Sequence, residues 1–344
     1  MRYYVILNPT SGGGAGGRTR GELERELARR SLEFSLVLTE RPLHAVELAR
    51  EAALGGVDVV VAAGGDGTVH EVANGLLAAP AEHRPALGVI PVGTGNDFSK
   101  LLEGRASRPR AYDALAAARA IDFDAGYVTW PGGAEYFING MGTGVDVEVV
   151  RQIKRLPRMP AVAGYLVALL RSVVGFRAIP LRVSADGRES DRRLMIIAIC
   201  NGPCLGGGFW LAPHARPDDG RFDICMVGDL SYFQIALTIP RVMRGTHEHL
   251  PVVTMDLAHT IELTAPGAAP LFFHLDGELR EPADAHNLRV ELHRGVLPVL
   301  GARSFDSVSA PGPGAPPHGA AARGQGGTGG DAGADAAQAP EGGA

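Results

Sequence analysis

The chain has 344 residues, 45% of them hydrophobic, enough to bury the cores of two ordinary domains. A net charge of −5 with only 21% charged residues leaves no basic surplus, which excludes nucleic acid as an expected partner. Three cysteines, Cys200, Cys204 and Cys225, are too few and odd in number for a disulfide framework and fit a reducing cytoplasm.

Met1 leads directly into a strand-like run without the basic start, apolar stretch and cleavage site of a signal peptide. Tyr3–Leu7 predicts the first strand, followed by a glycine-rich turn and a helix over Arg18–Arg30, with Leu23 and Leu27 one turn apart. Phe34–Leu38 predicts the second strand and Leu43–Leu54 the second helix. Val57–Ala63 is an apolar run broken only by Asp58, typical of a strand buried on both faces, and stops at Gly64. A helix over Thr68–Leu77, a strand over Leu87–Ile90 and a second glycine turn at Val92–Asn96 follow. This βα alternation predicts a parallel sheet.

Around Ile121–Tyr127 the pattern changes to strands and hairpins. Leu181–Ser184 and Leu194–Ile199 flank the turn signal Asp186-Gly187, and further strands are expected at Phe222–Val227, Val252–Leu257, Thr260–Leu263, Leu271–Leu275, Leu288–Leu292 and Val296–Leu300, which suggests a sandwich. Helices are expected at Ala161–Val174 and Ser231–Arg244, with Ser231 as N-cap. The longest apolar run, Ala161–Leu170, ends at Arg171, short of the ~18 to 20 residues that cross a bilayer, so any lipid contact is expected to be peripheral. The expected organisation is a nucleotide-binding α/β domain over 1–122, a β-sandwich substrate and catalytic domain over 123–303 whose last strand is free to return to the first domain, and a Gly/Ala/Pro-rich tail over 306–344 too poor in large apolar residues to fold.

Gly64-Gly65-Asp66-Gly67-Thr68, between a buried strand and a helix, carries the strongest local signal. Glycines let backbone N–H groups face outward, and the helix N-terminus adds partial positive charge, so the turn can hold phosphate oxygens. A bare glycine turn is often only a tight turn, but a tight turn does not require the carboxylate of Asp66. Gly93-Thr94-Gly95-Asn96-Asp97 follows the next strand and Asn8-Pro9-Thr10-Ser11-Gly12-Gly13-Gly14 the first. Neighbouring parallel strands end on one edge of the sheet, so the three turns should converge, as a polyphosphate requires.

Together these motifs resemble the diacylglycerol kinase catalytic family, which includes bacterial lipid kinases and sphingosine kinases. The resemblance continues, in order, through Phe123-Asp124-Ala125-Gly126, Asn201-Gly202, Gly206-Gly207-Gly208, the segment from Pro213 through Asp219 and Gly220 to Asp223, and Leu275-Asp276-Gly277-Glu278. It implies a Rossmann-like α/β domain of the NAD kinase and diacylglycerol kinase type plus a C-terminal β-sandwich, with ATP in the cleft between them. The implied activity is transfer of the γ-phosphoryl group from ATP to a lipid hydroxyl, diacylglycerol giving phosphatidic acid. Phosphoryl transfer is mostly positioning and charge stabilisation, which suits a phosphate cradle, a cation on hard oxygen ligands and a carboxylate near the hydroxyl.

By this similarity Asp276 is the general base, supported by Glu278. The nucleotide is lined by Asn8, Thr39, Gly64, Gly65, Asp66, Gly67, Thr68, Gly93, Thr94, Asn96 and Asp97. Mg²⁺ is held by the Asp219 side chain and the backbone carbonyls of Arg216 and Arg221, connected through water to Asp124 and Asp276. The implied partners are a lipid alcohol and the inner face of a membrane reached from the cytoplasm. Oligomeric state is open, a homodimer included.

Three alternatives stand beside this reading: a kinase for a sphingoid or other lipid alcohol, an NAD kinase-like enzyme, and a nucleotide- or lipid-binding module without catalysis. Retention of Asp66, Asp97, Asp124, Asp219, Asp276 and Glu278 favours an enzyme. Taken alone, Asp218-Asp219-Gly220 reads as a surface turn and Leu275–Glu278 as a hairpin turn. His247-Glu248-His249 is expected in a solvent-exposed loop, Cys200 and Cys204 as inert buried thiols, and His44 on a helix surface. Arg151, Lys154, Arg155 and Arg158, just before the apolar helix, read equally as solvated surface or as a membrane contact.

Overall fold

A computed structural model describes residues 1–301 except Arg105, Arg158 and Ala268. The expected tail over 306–344 lies outside the described residues. The chain begins with β1 (Arg2–Leu7), α1 (Ser11–Arg29), β2 (Glu33–Leu38), α2 (His44–Leu54), β3 (Val59–Gly64), α3 (Asp66–Leu77), β4 (Ala86–Pro91), α4 (Asp97–Glu103) and α5 (Arg108–Ala117). It continues with β5 (Ala120–Trp130), β6 (Gly133–Phe137), β7 (Gly140–Gly144), α6 (Val145–Ile153), α7 (Ala161–Val173), β8 (Ile179–Ala185), β9 (Arg188–Cys200) and β10 (Phe222–Gly228). The remaining elements are α8 (Tyr232–Met243), β11 (Val253–Ala258), β12 (Thr260–Thr264), β13 (Phe273–Leu275), β14 (Glu278–Arg280) and β15 (Asn287–Leu300).

Strands β2, β1, β3 and β4 are parallel and in that spatial order, and Leu38, Leu7, Ala63 and Ile90 align across the sheet. Side chains alternate across a strand. Val60 and Ala62 therefore join the core under α2 and α3, while Val59, Val61 and Ala63 join the core under α1 and α5. Burial on both faces is why β3 is apolar at every position. The alignment also brings the turns after β1, β3 and β4 to one edge, with Thr39 beside them, its N–H donating to Leu7 O at 3.0 Å.

The C-terminal half is a β-sandwich around Phe137, Phe222, Phe273, Ile199 and Val290. Helices α7 and α8 cover the other face of its sheet, over Ala198, Cys200 and Val253. The Ser231 hydroxyl and Gln234 form a reciprocal capping box, which fixes the start of α8 as expected.

Two expected strands, 288–292 and 296–300, form the single strand β15, whose register with β5 shifts between His293 and Leu297. This bulge sits at Gly295, φ +58°, a conformation glycine adopts without strain. Before the bulge β15 pairs with β12; beyond it, Val299 pairs with Leu87 of β4. The last strand therefore does return to the first sheet, and hydrogen bonding runs unbroken between the two halves. No described helix is long and apolar enough to cross a membrane.

His247 corrects the reading of its segment as an exposed loop. It is fully buried, with Nε2 facing Leu211 O at 3.2 Å and Cys225 Sγ at 3.7 Å, and burial holds its pKa below the usual value. The phenylalanine-free polar run around it gave no apolar signal of burial. Cys200 is buried as expected and Cys204 is half-buried; desolvation raises both thiols well above their ordinary range, so neither is a ready nucleophile.

Candidate active site

The phosphate-edge turns are tied to one another before any ligand enters. Asn8 Nδ2 donates to Thr68 Oγ1 at 3.0 Å, and its Oδ1 accepts from Thr10 N–H at 3.0 Å. Val92 N–H donates to Gly64 O at 2.8 Å. A Cβ on Gly65 would lie 3.1 Å from Gly93 Cα, so the two glycine turns touch through their backbones and both positions require the small residue. Asn96 closes the second turn in the left-handed region, φ 53°, with its Nδ2 on Gly93 O at 2.7 Å.

Asp66 begins α3 and faces Asp97 at the start of α4. Its enclosure and the Asp97 charge push its carboxyl up to about 7, against the N–H of Phe98, which donates to Oδ1 at 3.2 Å. Asp97 is spoken for: Lys100 Nζ lies 2.9 Å from Oδ1 and Gly207 N–H donates to Oδ2 at 2.6 Å. The glycine loop of the C-terminal half is thereby clamped onto the edge of the parallel sheet.

Asp276 lies in the Asp-Gly hairpin turn between β13 and β14, at φ 51° with Gly277 at 86°, the conformation of a two-residue hairpin with both central residues left-handed. Its Oδ1 accepts from the N–H of Asn139 at 2.8 Å and Gly140 at 3.0 Å, and its Oδ2 from the N–H of Ile138 at 3.0 Å. His70 Nδ1 is 2.8 Å from the same Oδ2, and His70 Nε2 is 2.9 Å from Glu135 Oε1. Burial alone would lower the His70 pKa, but its two carboxylate partners outweigh burial and push it up to about 9. Burial would raise Glu135, yet His70 and Arg280 hold it down at about 2. The result is a buried chain of alternating charge, Arg280, Glu135, His70, Asp276, ending at the turn.

Sequence reasoning missed His70, Glu135 and Arg280. One signal was present: Asp66, His70 and Asn74 recur at i, i+4 and i+8, a polar stripe along one face of the helix. A second missed group, His274, is two residues before Asp276. Its Nε2 bonds Asp146, whose other oxygen accepts from Tyr165 Oη at 2.8 Å, and its Nδ1 accepts from Gly277 N–H at 3.3 Å. Tyr165 is on α7, so this network links the Asp276 turn to that helix.

A cavity of 470 Å³ joins these parts. Its lining combines the polar Asp66, Thr94, Asp97, Asp276 and Glu278, with His70 and His274, and the apolar Val150, Ile153, Leu156, Met159 and Leu205. Glu278 projects toward Gly67, where a Cβ would lie 2.8 Å from its Oε1, and Lys154 is 3.2 Å from its Oε2. Asn8, Thr39, Gly64, Gly65, Thr68, Gly93 and Asn96 stand around or behind this edge without lining the cavity.

Asp219, Arg216, Arg221 and Asp124 also lie outside the cavity lining and form a group of their own. Asp124 accepts from the N–H of Gly220 and of Gly295 at the bulge, both at 2.7 Å, and Asp219 Oδ1 accepts from Arg221 N–H at 3.0 Å. Burial and the nearby Asp219 charge raise Asp223 to about 7. Asn201 connects this group to the segment that holds Asp276, its Nδ2 donating to Asp124 O at 2.9 Å and to Ile138 O at 2.8 Å. Crowded carboxyl oxygens of this kind suit a hard cation. Among the described residues no three His, Cys, Asp or Glu side chains cage a metal by themselves, so a cation here would complete its shell with backbone carbonyls and water.

Residues 2–128 match the diacylglycerol kinase catalytic domain, and residues 139–301 match the YegS C-terminal NAD kinase beta sandwich-like domain. A diacylglycerol kinase of Bacillus subtilis (strain 168) is 30% identical over 89% of this chain and 99% of its own length, and one of Staphylococcus haemolyticus (strain JCSC1435) is 29% identical over 84% and 86%. Among solved structures, two from Bacillus anthracis str. Sterne superpose with TM-scores of 0.72 and 0.65, at 23% and 20% identity; they cover 88% of this chain each and 98% and 97% of their own, and the second is described as a diacylglycerol kinase. Both halves of the chain, in the order the motifs indicated, thus place it in the diacylglycerol kinase family of lipid kinases.

Proposed function

We propose that the protein transfers the γ-phosphoryl group of ATP to the hydroxyl of diacylglycerol, giving phosphatidic acid, and works at the inner face of a membrane from the cytoplasm. The observation that carries this reading is the mixed lining of one cavity, which joins Asp66, Gly67, Thr94 and Asp97 of the glycine turns and Asp276 to the apolar Val150, Ile153, Leu156 and Met159. An acceptor with a hydroxyl head and an apolar body fits such a space; a dinucleotide or sugar phosphate would leave the apolar lining unused.

The glycine turns receive the phosphates, and Asp66 and Asp97 set the charge at their edge. The acceptor oxygen attacks the γ-phosphorus, the bond to the bridging oxygen of ADP breaks, and the hydroxyl proton passes to the Asp276 carboxylate. His70 and the three backbone N–H groups hold that carboxylate in place, and His274 fixes Gly277 behind it. Mg²⁺, held by Asp219 with the carbonyls of Arg216 and Arg221 and by Asp124 through water, would supply charge neutralisation for the phosphates.

One observation favours a second assignment of the base. A carboxylate has about four lone-pair sites, and Asp276 meets four donors, whereas among the described residues the side-chain donor facing Glu278 is Lys154 alone. In that reading Glu278 takes the proton and Asp276 is a fixed charge. The acceptor is tested with labelled ATP against dioleoylglycerol, sphingosine and NAD, separating products by thin-layer chromatography. Diacylglycerol is expected to be preferred by at least tenfold in kcat/KM; labelled NADP or sphingosine phosphate as the main product would reassign the substrate.

A further inference from the structure

Helix α7 is apolar on opposite faces. Tyr165, Ala168 and Val173 are buried against the sandwich, whereas Leu170 and Val174 are 50% and 71% exposed. The exposed face continues on α8, where Tyr232, Phe233 and Leu237 are 62%, 73% and 48% exposed. Tyr232 Oη accepts from Gly175 N–H at 3.1 Å, and Val173 and Ile235 share one small core beneath, so the end of α7 and the start of α8 form one surface. A helix apolar on both sides, with one side bare, has a face still to be covered.

Charge identifies what covers it. Arg171, Arg177, Arg241 and Arg244 are exposed around this surface, and among the described residues none is in an ion pair. Arg241 and Arg244 each spend one N–H on a carbonyl of their own helix. Four uncompensated arginines around an apolar face, in a chain of net charge −5, make a local field opposite in sign to that of the whole molecule. Of the cluster that the sequence offered for the same role, Arg151 pairs with Glu148 and Glu281 and Lys154 with Glu278, Arg155 is exposed without an ion pair among the described residues, and Arg158 lies outside the described residues.

We propose that this α7–α8 face docks on an anionic lipid bilayer, with Leu170, Val174, Phe233 and Leu237 in the interfacial layer and the arginines on headgroups. The proposal rests on the lipid kinase reading for its purpose, because the first turns of α7, through Gly164 and Tyr165, line the cavity. One helix thus connects the docking face to the place where the acceptor enters.

The test uses the full chain and vesicles of phosphatidylcholine with and without phosphatidylglycerol. Co-sedimentation is compared for the parent, Arg241→Gln/Arg244→Gln and Phe233→Ser/Leu237→Ser, alongside turnover on a short-chain diacylglycerol in free solution. The parent is expected to bind anionic vesicles more tightly at low salt, and loss of two arginines to weaken binding about thirtyfold, from ~1 kcal/mol per basic residue. The apolar variant is expected to bind at least tenfold more weakly, and both variants to keep soluble-substrate turnover. Equal vesicle binding by parent and both variants, or none by the parent, overturns the proposal. A dimer in sedimentation velocity that Phe233→Ser/Leu237→Ser dissociates, without vesicle binding by the parent, assigns the face to a second copy and also overturns it. If the apolar variant fails to fold, the arginine variant decides. A parent that binds anionic vesicles but phosphorylates no lipid alcohol removes the kinase reading and leaves the docking face standing.

Discussion

Asp276 shows how far a single residue can be read. Leu275-Asp276-Gly277-Glu278 and Asp186-Gly187 are both Asp-Gly turns with left-handed φ at both central residues, and nothing local separates them. Asp186 receives only the N–H groups and ring of its neighbour strand, at His259 and Thr260. Asp276 instead receives three N–H groups from a segment more than a hundred positions earlier, and a buried imidazole. The order of motifs along the chain, not the turn, made Asp276 legible. His70 was not legible as its partner because their pairing depends on how α3 and β13 meet. Asp276→Asn is expected to lower kcat at least a hundredfold while ATP affinity, measured by calorimetry, changes less than threefold. If Glu278→Gln shows the larger loss and Asp276→Asn the smaller, the second assignment of the base replaces the first.

His70 also carries a pH signature. Its folded pKa of about 9 exceeds its ordinary value of 6.5, so its stabilising contribution is complete below pH 6.5 and is lost as pH rises through 9. Glu135, depressed to about 2, contributes above its usual range and is lost as pH falls through 2. These two shifts describe one interaction and are counted once, on the order of 2–3 kcal/mol. Chemical denaturation of the parent should show extra destabilisation between pH 7 and 9.5 that His70→Gln lacks. Parallel pH profiles for the two proteins would mean that His70 is neutral in the fold.

Among elements, the strands and helices that bury one clear face were legible, and those whose role is to hold a loop were not. β3 and α8 follow from their apolar patterns and the Ser231 cap. The short elements β6, β7 and α6 escaped notice because their glycines and polar residues serve contacts made elsewhere: Gly140 and Gly142 let Asp276 and His274 approach the backbone of β7. The β15 bulge was read as a break between two strands, since only the fold reveals that Gly295 must turn its N–H to Asp124. That the glycine turns converge on one edge was legible, but the backbone contact between Gly65 and Gly93 was not. Gly65→Val should therefore part the two turns and weaken ATP binding by at least tenfold, with a modest fall in Tm. Calorimetry showing parental ATP affinity in a folded Gly65→Val protein would remove the turn from the nucleotide site.

At the scale of the whole molecule, β5 and β15 cross from the sandwich to the parallel sheet, and Asn74 of α3 exchanges paired bonds, both 3.0 Å, with the Tyr136 backbone of β6. Lys100 and Asp97 add the clamp to Gly207. The two halves are built into one hydrogen-bonded body, so the glycine-turn edge and the Asp276 turn hold a fixed relation. Calorimetry should show one unfolding transition; two well-separated transitions would show that the halves are stable apart. The central claim is that this cavity transfers phosphoryl groups to a lipid hydroxyl with Asp276 as a participant. Phosphorus NMR of the full chain with ATP, Mg²⁺ and dispersed dioleoylglycerol tests it most directly. Phosphatidic acid should accumulate with the parent and form at least a hundredfold more slowly with Asp276→Asn; equal rates, or ATP consumed with no lipid phosphate formed, would contradict the account.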